Sequence, residues 1–333
     1  MQRRKIAVVG ATGMVGRAFL KVLEQRGIEA DYTLFASARS AGSTLPFFGK
    51  EYPVSELKED SFAGQGFSYV LMSAGGEISR RFAPLAAASG AIVIDNSSQW
   101  RMDKDVPLVV PEVNPEALER IPKGIVANPN CSTIQAVVPL KILDDAFRIR
   151  RVVYSTYQAV SGAGQKGYRD LEDGLCGALP KKFPHPIANN CIPHIDVFLD
   201  SGYTKEEQKM IDETRKILSR PDLRVTATCV RVPVYHGHSE SINVELERPF
   251  ELSEVFARFE HAQGLIVRDD PKNNVYPMPI EAAGTDPVYV GRIRRDPSVE
   301  NGLNFWCVAD NIRKGAALNA VQIMELLIKG EQK

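Results

Sequence analysis

Lys5-Ile-Ala-Val-Val9, running straight into Gly10-Ala-Thr-Gly-Met-Val-Gly16, is the stretch on which the fold depends. The apolar run reads as a strand buried on both faces. Residues 14–26 then put Val15, Phe19, Val22 and Leu23 on one face of a helix. Strand, glycine turn and helix in that order make a dinucleotide site, with pyrophosphate received by backbone N–H groups at the helix N-terminus. The spacing, G-x-x-G-x-x-G, is a variant of the usual fingerprint. Gly10, Thr12, Gly13, Met14, Val15 and Gly16 are therefore the expected cofactor-binding residues.

The second strand, Tyr32-Thr-Leu-Phe35, points toward the adenosine ribose. An NAD site wants a carboxylate there, but Asp31 precedes the strand and belongs at the wrong end of the sheet. Ser37, Arg39 and Ser40 follow it instead, and these can hold a 2′-phosphate by charge-assisted hydrogen bonds. The expected cofactor is NADP(H). Strand and helix alternate onward: Tyr69–Ser73, then Gly75-Gly76, a helix near 77–89, and Ala91–Asp95. This pattern predicts a mostly parallel sheet up to about residue 130, with ligand-binding loops at its strand ends.

Asn128-Pro-Asn-Cys-Ser-Thr133 sets Cys131 at the opening of a helix, with Asn130 as N-cap and apolar residues at helical spacing through Leu143. The positive end of a helix and its free N–H groups favour a thiolate and can hold an oxyanion formed when sulfur attacks a carbonyl. Beyond it the texture changes. Arg150–Tyr157, Val225–Val234 and Ser241–Leu246 are β-branched and aromatic, which predicts an antiparallel or mixed sheet. A final helix, Lys314 to Lys329, carries Ala317, Val321, Met324, Leu327 and Ile328 on one stripe.

Charge is balanced, 41 basic against 41 acidic side chains, so nothing steers the chain toward nucleic acid or an anionic membrane. Met1-Gln-Arg-Arg-Lys resembles a basic leader start, but the apolar run after it is too short. With no apolar run long enough to span a bilayer and five scattered cysteines, the expectation is a soluble cytoplasmic protein without a disulfide framework. His185, Cys191 and His194 cluster in one proline-stiffened loop, but their spacing fits no common zinc pattern and no metal is expected.

The glycine turn, Asn-Pro-Asn-Cys-Ser-Thr and Thr156-Tyr-Gln-Ala-Val-Ser-Gly-Ala-Gly164 together resemble the aspartate-β-semialdehyde dehydrogenase family over nearly the whole chain. The resemblance implies NADPH-dependent reductive dephosphorylation of L-aspartyl-4-phosphate to L-aspartate 4-semialdehyde, in the branch that makes lysine, threonine and methionine. It implies a Rossmann-like NADP-binding domain, 1–130 with the C-terminal helix 314–333. It also implies an α+β catalytic domain, 131–313, with a mostly antiparallel sheet that forms a homodimer. Carried over residue by residue, Cys131 is the nucleophile and Gln158 helps orient substrate. Arg231, in Arg231-Val-Pro-Val-Tyr-His-Gly-His238, grips the α-carboxylate, and His238 is the general acid/base, with an ordinary imidazole pKa near working pH. Glu206 meets the amino group, Lys209 and Arg101 meet phosphate, and Asn130 lines the substrate site, while Gly75 and Gly162 join the cofactor set. Spacing alone does not separate His236 from His238, and without the resemblance Glu206/Lys209 reads as a surface i,i+3 ion pair. The rival readings are a sister acyl-phosphate reductase, such as one for N-acetyl-glutamyl phosphate, a cysteine acyl transferase, and a non-catalytic cofactor-binding paralogue.

Overall fold

The structure, a computed structural model, describes residues 3–331; the first two residues of the basic N-terminal run and the last two of the expected first domain lie outside it. The chain forms two compact units: one made of 1–129 with 316–333, the other of 130–315. Among the described residues no helix is long and apolar enough to cross a membrane.

In the first unit, β1 (Lys5–Val9) leads through the glycine turn into α1 (Met14–Gln25), followed by β2 (Asp31–Ala36), β3 (Thr44–Phe47), β4 (Lys50–Glu56), β5 (Tyr69–Met72), α2 (Gly76–Ala88), β6 (Ile92–Asp95) and β7 (Ile125–Ala127). The seven strands lie in the order β3-β4-β2-β1-β5-β6-β7, all parallel except the β3–β4 hairpin. Strand order reverses at β1, whose neighbours are β2 and β5, and open α/β sheets bind their ligands outside the carboxyl ends at such a point. Ile6 to Val9 are wholly buried, as a central parallel strand requires. The hairpin went unforeseen because Pro46, Pro53 and Gly49 break its pattern; β3, with Pro46, is the edge strand, where proline is tolerated.

The second unit opens with α3 (Cys131–Phe147), then β8 (Ile149–Gln158), α4 (Gly164–Leu175), α5 (Lys205–Ile217), β9 (Arg224–Arg231), β10 (His238–Leu246), α6 (Leu252–Glu260), β11 (Leu265–Val267), α7 (Pro279–Ala282), β12 (Val288–Asp296) and β13 (Gly302–Ala309). Its six-stranded sheet runs β11-β12-β13-β10-β8-β9 and is mixed: β8–β9 and β11–β12 pair in parallel, the others antiparallel. α3 packs against the buried face of this sheet, and Ser132 through Leu140 are all buried. Pro139 inside it has no N–H for the carbonyl of Gln135; the Cys307 thiol reaches that oxygen at 3.5 Å.

The C-terminal element begins differently from expectation. Arg313–Leu318 is a wide turn, in which Gly315 N–H bonds Asp310 O, five residues back, at 2.9 Å; only Asn319–Gly330 is regular helix, α8. The Asp310 carboxylate takes the N–H groups of Ile312 and Arg313 at 2.8 Å each, which fixes the wide start. Within the first unit, Val321 and Met324 of α8 join Phe19 and Leu23 of α1 in one core.

Candidate active site

Glycine at two positions of the first turn is a steric requirement. Gly10 sits at φ +80°, and a Cβ there would come 2.2 Å from the carbonyl oxygen of Ser73. A Cβ on Gly16 would meet the Gly10 carbonyl oxygen at 2.1 Å. Both obstacles are backbone, so neither can move aside. The turn is tied to β2, with the N–H groups of Gly10 and Ala11 donating to Phe35 O at 2.9 and 3.1 Å. Gly13, the N-cap of α1, is exposed, and no side chain caps that helix. α2 starts the same way behind β5, with Gly75 as N-cap at φ 88° and no side-chain cap. Two helix N-termini following adjacent strands thus present N–H donors, the donor set a pyrophosphate needs. Thr12, Met14 and Val15 lie in the turn or the first helical turn. Ser37, Ala38 and Arg39 are exposed beyond β2, with Ser40 half-buried. Asp31 is the first residue of β2, one position earlier than expected, and pairs with Lys5 at the end of the sheet away from the glycine turn.

Arg101, also in the first unit, is no solvated arginine. It is buried, its Nε and Nη2 donating to Asn128 O and Asn96 O at 2.9 Å each.

In the second unit, the expected residues come from elements distant in sequence. Arg231 pairs in register with Gln158 across β9 and β8, and Ser239 pairs with Tyr157, so Gln158 and His238 end their strands side by side. One row on the buried face of the sheet therefore reads Arg231, Gln158, His238. Asn130 caps α3, its Oδ1 accepting from Ser132 N at 3.0 Å and Thr133 N at 3.3 Å. Its Nδ2 donates to Glu206 Oε1 at 2.8 Å, and Gln158 Nε2 reaches the same oxygen at 3.4 Å. The other oxygen of Glu206 accepts from Lys209 Nζ at 3.1 Å, and that ammonium also holds Asp196 at 2.8 Å. Glu206/Lys209 is thus an ion pair at i,i+3, but an interior one. Burial alone would raise the Glu206 pKa; Lys209 and Asn130 overcome it and hold the carboxyl below its ordinary value.

Cys131 follows this capped asparagine directly. Its Cα lies 3.2 Å from where a Cβ on Gly315 would sit, so residue 315 packs against it only as glycine. Arg231 is buried, donates from Nη1 to Ala159 O at 2.6 Å, and leaves Nε without a partner. Burial pushes its guanidinium pKa down, opposed by Glu206 and the sulfur of Cys131.

His238 is wholly buried. Its Nδ1 accepts the N–H of Ala159 at 3.0 Å, so the neutral ring carries its proton on Nε2, which has no partner. Burial, with the positive charge of Arg231 second, pushes its pKa well below the ordinary 6.5; the expected normal imidazole is corrected on that account. Gly162 packs closely on the ring: a Cβ there would stand 3.3 Å from Nε2 and 3.0 Å from Arg231 Nη1. Gly162, expected among the cofactor residues, thus lies in the second unit against the imidazole and guanidinium. His236 lies outside the row, tilted on the Tyr168 ring at 5.7 Å. His194 stacks on Phe198, while His185 and Cys191 are exposed; among the described residues no three metal-ligating side chains stand together.

Sequence reading overlooked Glu240 and Glu213. Glu240 lies one step behind His238 on the same strand face, opposite Thr156 and Cys307, wholly buried with neither oxygen bonded. Burial, then the charge of Glu206, raises its pKa well above 4.5 and so favours its neutral form. Glu213 accepts the N–H of Asn130 at 2.6 Å and so anchors the cap from below. Period-two counting from His238 and period-seven counting from Glu206 would have reached both residues.

Family models describe the same two parts. The semialdehyde dehydrogenase NAD binding domain matches residues 5–121, and the semialdehyde dehydrogenase dimerisation domain matches residues 140–314. Aspartate-semialdehyde dehydrogenase from Aquifex aeolicus is 58% identical over 98% of each chain, and that from Bacillus subtilis 48% identical over 97% of each. Among solved structures, aspartate semialdehyde dehydrogenase II from Vibrio cholerae, complexed with ASA, matches at 46% identity, with a TM-score of 0.95 over 99% of each chain. The Candida albicans enzyme, solved with NADP, matches at 27% identity and a TM-score of 0.78 over 98% of each.

Proposed function

This chain belongs to the aspartate-semialdehyde dehydrogenase family, and from that premise we propose that it reduces L-aspartyl-4-phosphate to L-aspartate 4-semialdehyde with NADPH, through a thioester on Cys131. It is an oxidoreductase with a nicotinamide-nucleotide domain; the preference for NADP, the thioester, and work as a cytoplasmic homodimer in lysine, threonine and methionine synthesis belong to the proposal. The observation that carries it is the row Arg231, Gln158, His238, with Glu206 fixed beside it and Cys131 at the start of α3.

An acyl phosphate is a mixed anhydride with a good leaving group. The Cys131 sulfur bonds to its acyl carbon, the carbon–oxygen bond to phosphoryl breaks, and phosphate leaves with the electron pair. When bound, the reduced cofactor supplies a hydride to that acyl carbon. Its phosphates fit the N–H donors after Gly13 and Gly75, and Ser37, Arg39 and Ser40 hold a 2′-phosphate. His238, neutral and protonated on Nε2, donates a hydrogen bond to the acyl oxygen as negative charge develops there. The carbon–sulfur bond then breaks, releasing the aldehyde and regenerating the thiolate, and the proton consumed overall ends on phosphate. Arg231 takes the α-carboxylate through its planar fork, and anionic Glu206 takes the ammonium group. Lys209 and Arg101 meet phosphate, Lys209 exchanging its bond to Asp196.

The test is phosphate-dependent reduction of NADP⁺ by L-aspartate 4-semialdehyde, beside Cys131→Ala. Activity requiring both phosphate and Cys131 is expected. Clean NADPH binding with no turnover would move the reading to a sister acyl phosphate or a non-catalytic paralogue.

A further inference from the structure

A small wall stands against the guanidinium of Arg231. Its core is Val160, Leu171, Ile187 and Ile192, with Phe183 packed on it. The segment carrying Phe183 is fastened at both ends. At one end, Asp170 of α4 accepts the N–H groups of Lys181, Lys182 and Phe183 at 3.0, 2.7 and 2.9 Å. Burial opposes its charge, yet these three donors hold its carboxyl below the usual range. At the other end, Ile192 and Arg231 exchange both backbone hydrogen bonds, at 2.9 and 2.8 Å.

Between these ties the Phe183 ring lies over the guanidinium, its centroid 5.8 Å from Arg231 Cζ, within cation–π range. The approach of α4 to the ring needs a glycine: a Cβ on Gly167 would stand 3.0 Å from Phe183 Cζ and 2.7 Å from Val160 O. With Nη1 held by Ala159 O and one face covered by the ring, the guanidinium is restrained in a single plane. A carboxylate bound by two parallel N–H···O bonds must lie in that plane.

We propose that Phe183 is a positioning residue for substrate specificity, acting through Arg231 and set in place by Asp170. This rests on the reading of Arg231 as the carboxylate-binding residue. The ring fixes the plane of the fork and shields it from water, and so selects substrates whose carboxylate arrives edge-on.

Steady-state kinetics of phosphate-dependent NADP⁺ reduction test it, comparing wild type with Phe183→Ala, Phe183→Leu, Phe183→Tyr and Asp170→Asn. Phe183→Ala is expected to raise KM for L-aspartate 4-semialdehyde about tenfold, the size of one partly desolvated cation–π contact, with kcat and KM for NADP⁺ nearly unchanged. Phe183→Tyr, which keeps the ring, restores the wild-type KM. Phe183→Leu, which keeps bulk without a π face, does not. Asp170→Asn moves KM in the same direction as Phe183→Ala. A wild-type KM in Phe183→Ala, or full rescue by leucine, overturns the proposal. So does a common fall of kcat in every variant, Phe183→Tyr included, which would mark a folding effect. Inactivity of the wild type would instead sink the proposed function on which this inference rests.

Discussion

The two sheets of this protein solve opposite problems. In the first, the central strands are apolar on both faces; Ile6 to Val9 and Val70 to Met72 are wholly buried. Its glycine turns and uncapped helix ends turn backbone N–H groups outward, with Ser37, Arg39 and Ser40 as polar side chains beyond β2. In the second, the buried face of β8, β9 and β10 carries Thr156, Gln158, Arg231, His238 and Glu240, all nearly or wholly inaccessible. Its chemistry rests on side chains taken out of water, whose charge states depend on their neighbours. The glycine turn admits no added Cβ at Gly10 or Gly16. The second site is sensitive to each functional group and to pH.

Cys131 gives the sharpest contrast. Cys131→Ala should lower turnover by on the order of 10⁴-fold or more while NADP⁺ binding by titration stays at its wild-type value. Loss of nucleotide binding in that variant would break the division between the units.

Gly10→Ala is the counterpart in the first unit. A Cβ 2.2 Å from the Ser73 carbonyl at φ +80° should cost about 3 kcal/mol or more of stability, read by denaturant unfolding, and abolish cofactor binding. A stable, cofactor-binding Gly10→Ala would show that the turn does not need its close approach. Beside it, Arg39→Ala should raise KM for NADP⁺ by roughly 10- to 100-fold and leave KM for NAD⁺ unchanged, as loss of one charged hydrogen bond predicts.

Within the second unit, two buried groups of one strand respond to pH in opposite senses. His238 has a folded pKa well below 6.5, so its linked stability is fully present above 6.5 and is lost as pH falls toward the folded value. Thermal melting should therefore drop on acidification below 6.5 more steeply in wild type than in His238→Asn, and kcat should show no inflection at the ordinary imidazole value. Glu240 behaves oppositely. Its folded pKa is raised, so its linked stability is present below 4.5 and lost as pH rises. Glu240→Gln, neutral at every pH, should gain on wild type between pH 4 and pH 8, the smallest of these effects.

Legibility in the sequence divides along the same line. The strand, glycine turn and helix at residues 5–25 were readable because a backbone site is written in consecutive residues. Cys131 and its Asn130 cap were readable for the same reason. Glu206 was not: on α5, whose buried face carries Glu206, Glu207 and Glu213, every local rule points to solvent, and only packing against α3 and β9 turns that face inward. Nor could His238 be told from His236 until the strand register put one beside Gln158 and left the other on Tyr168. Its pKa was misjudged because burial, and then the Arg231 charge, are imposed by elements from elsewhere in the fold. The family resemblance supplied these residues where local physics could not.

The central claim is that a nucleotide held by backbone and a thiol at Cys131 serve one reaction. The direct measurement mixes the protein with NADP⁺ and L-aspartate 4-semialdehyde in the absence of phosphate, and follows NADPH together with peptide mass spectrometry. One equivalent of NADPH per chain, with an aspartyl group on the peptide containing Cys131 that is released by added phosphate, is the predicted result. NADPH formed with no acyl group on Cys131, or an acyl group on Cys176, Cys191, Cys229 or Cys307 instead, would contradict it.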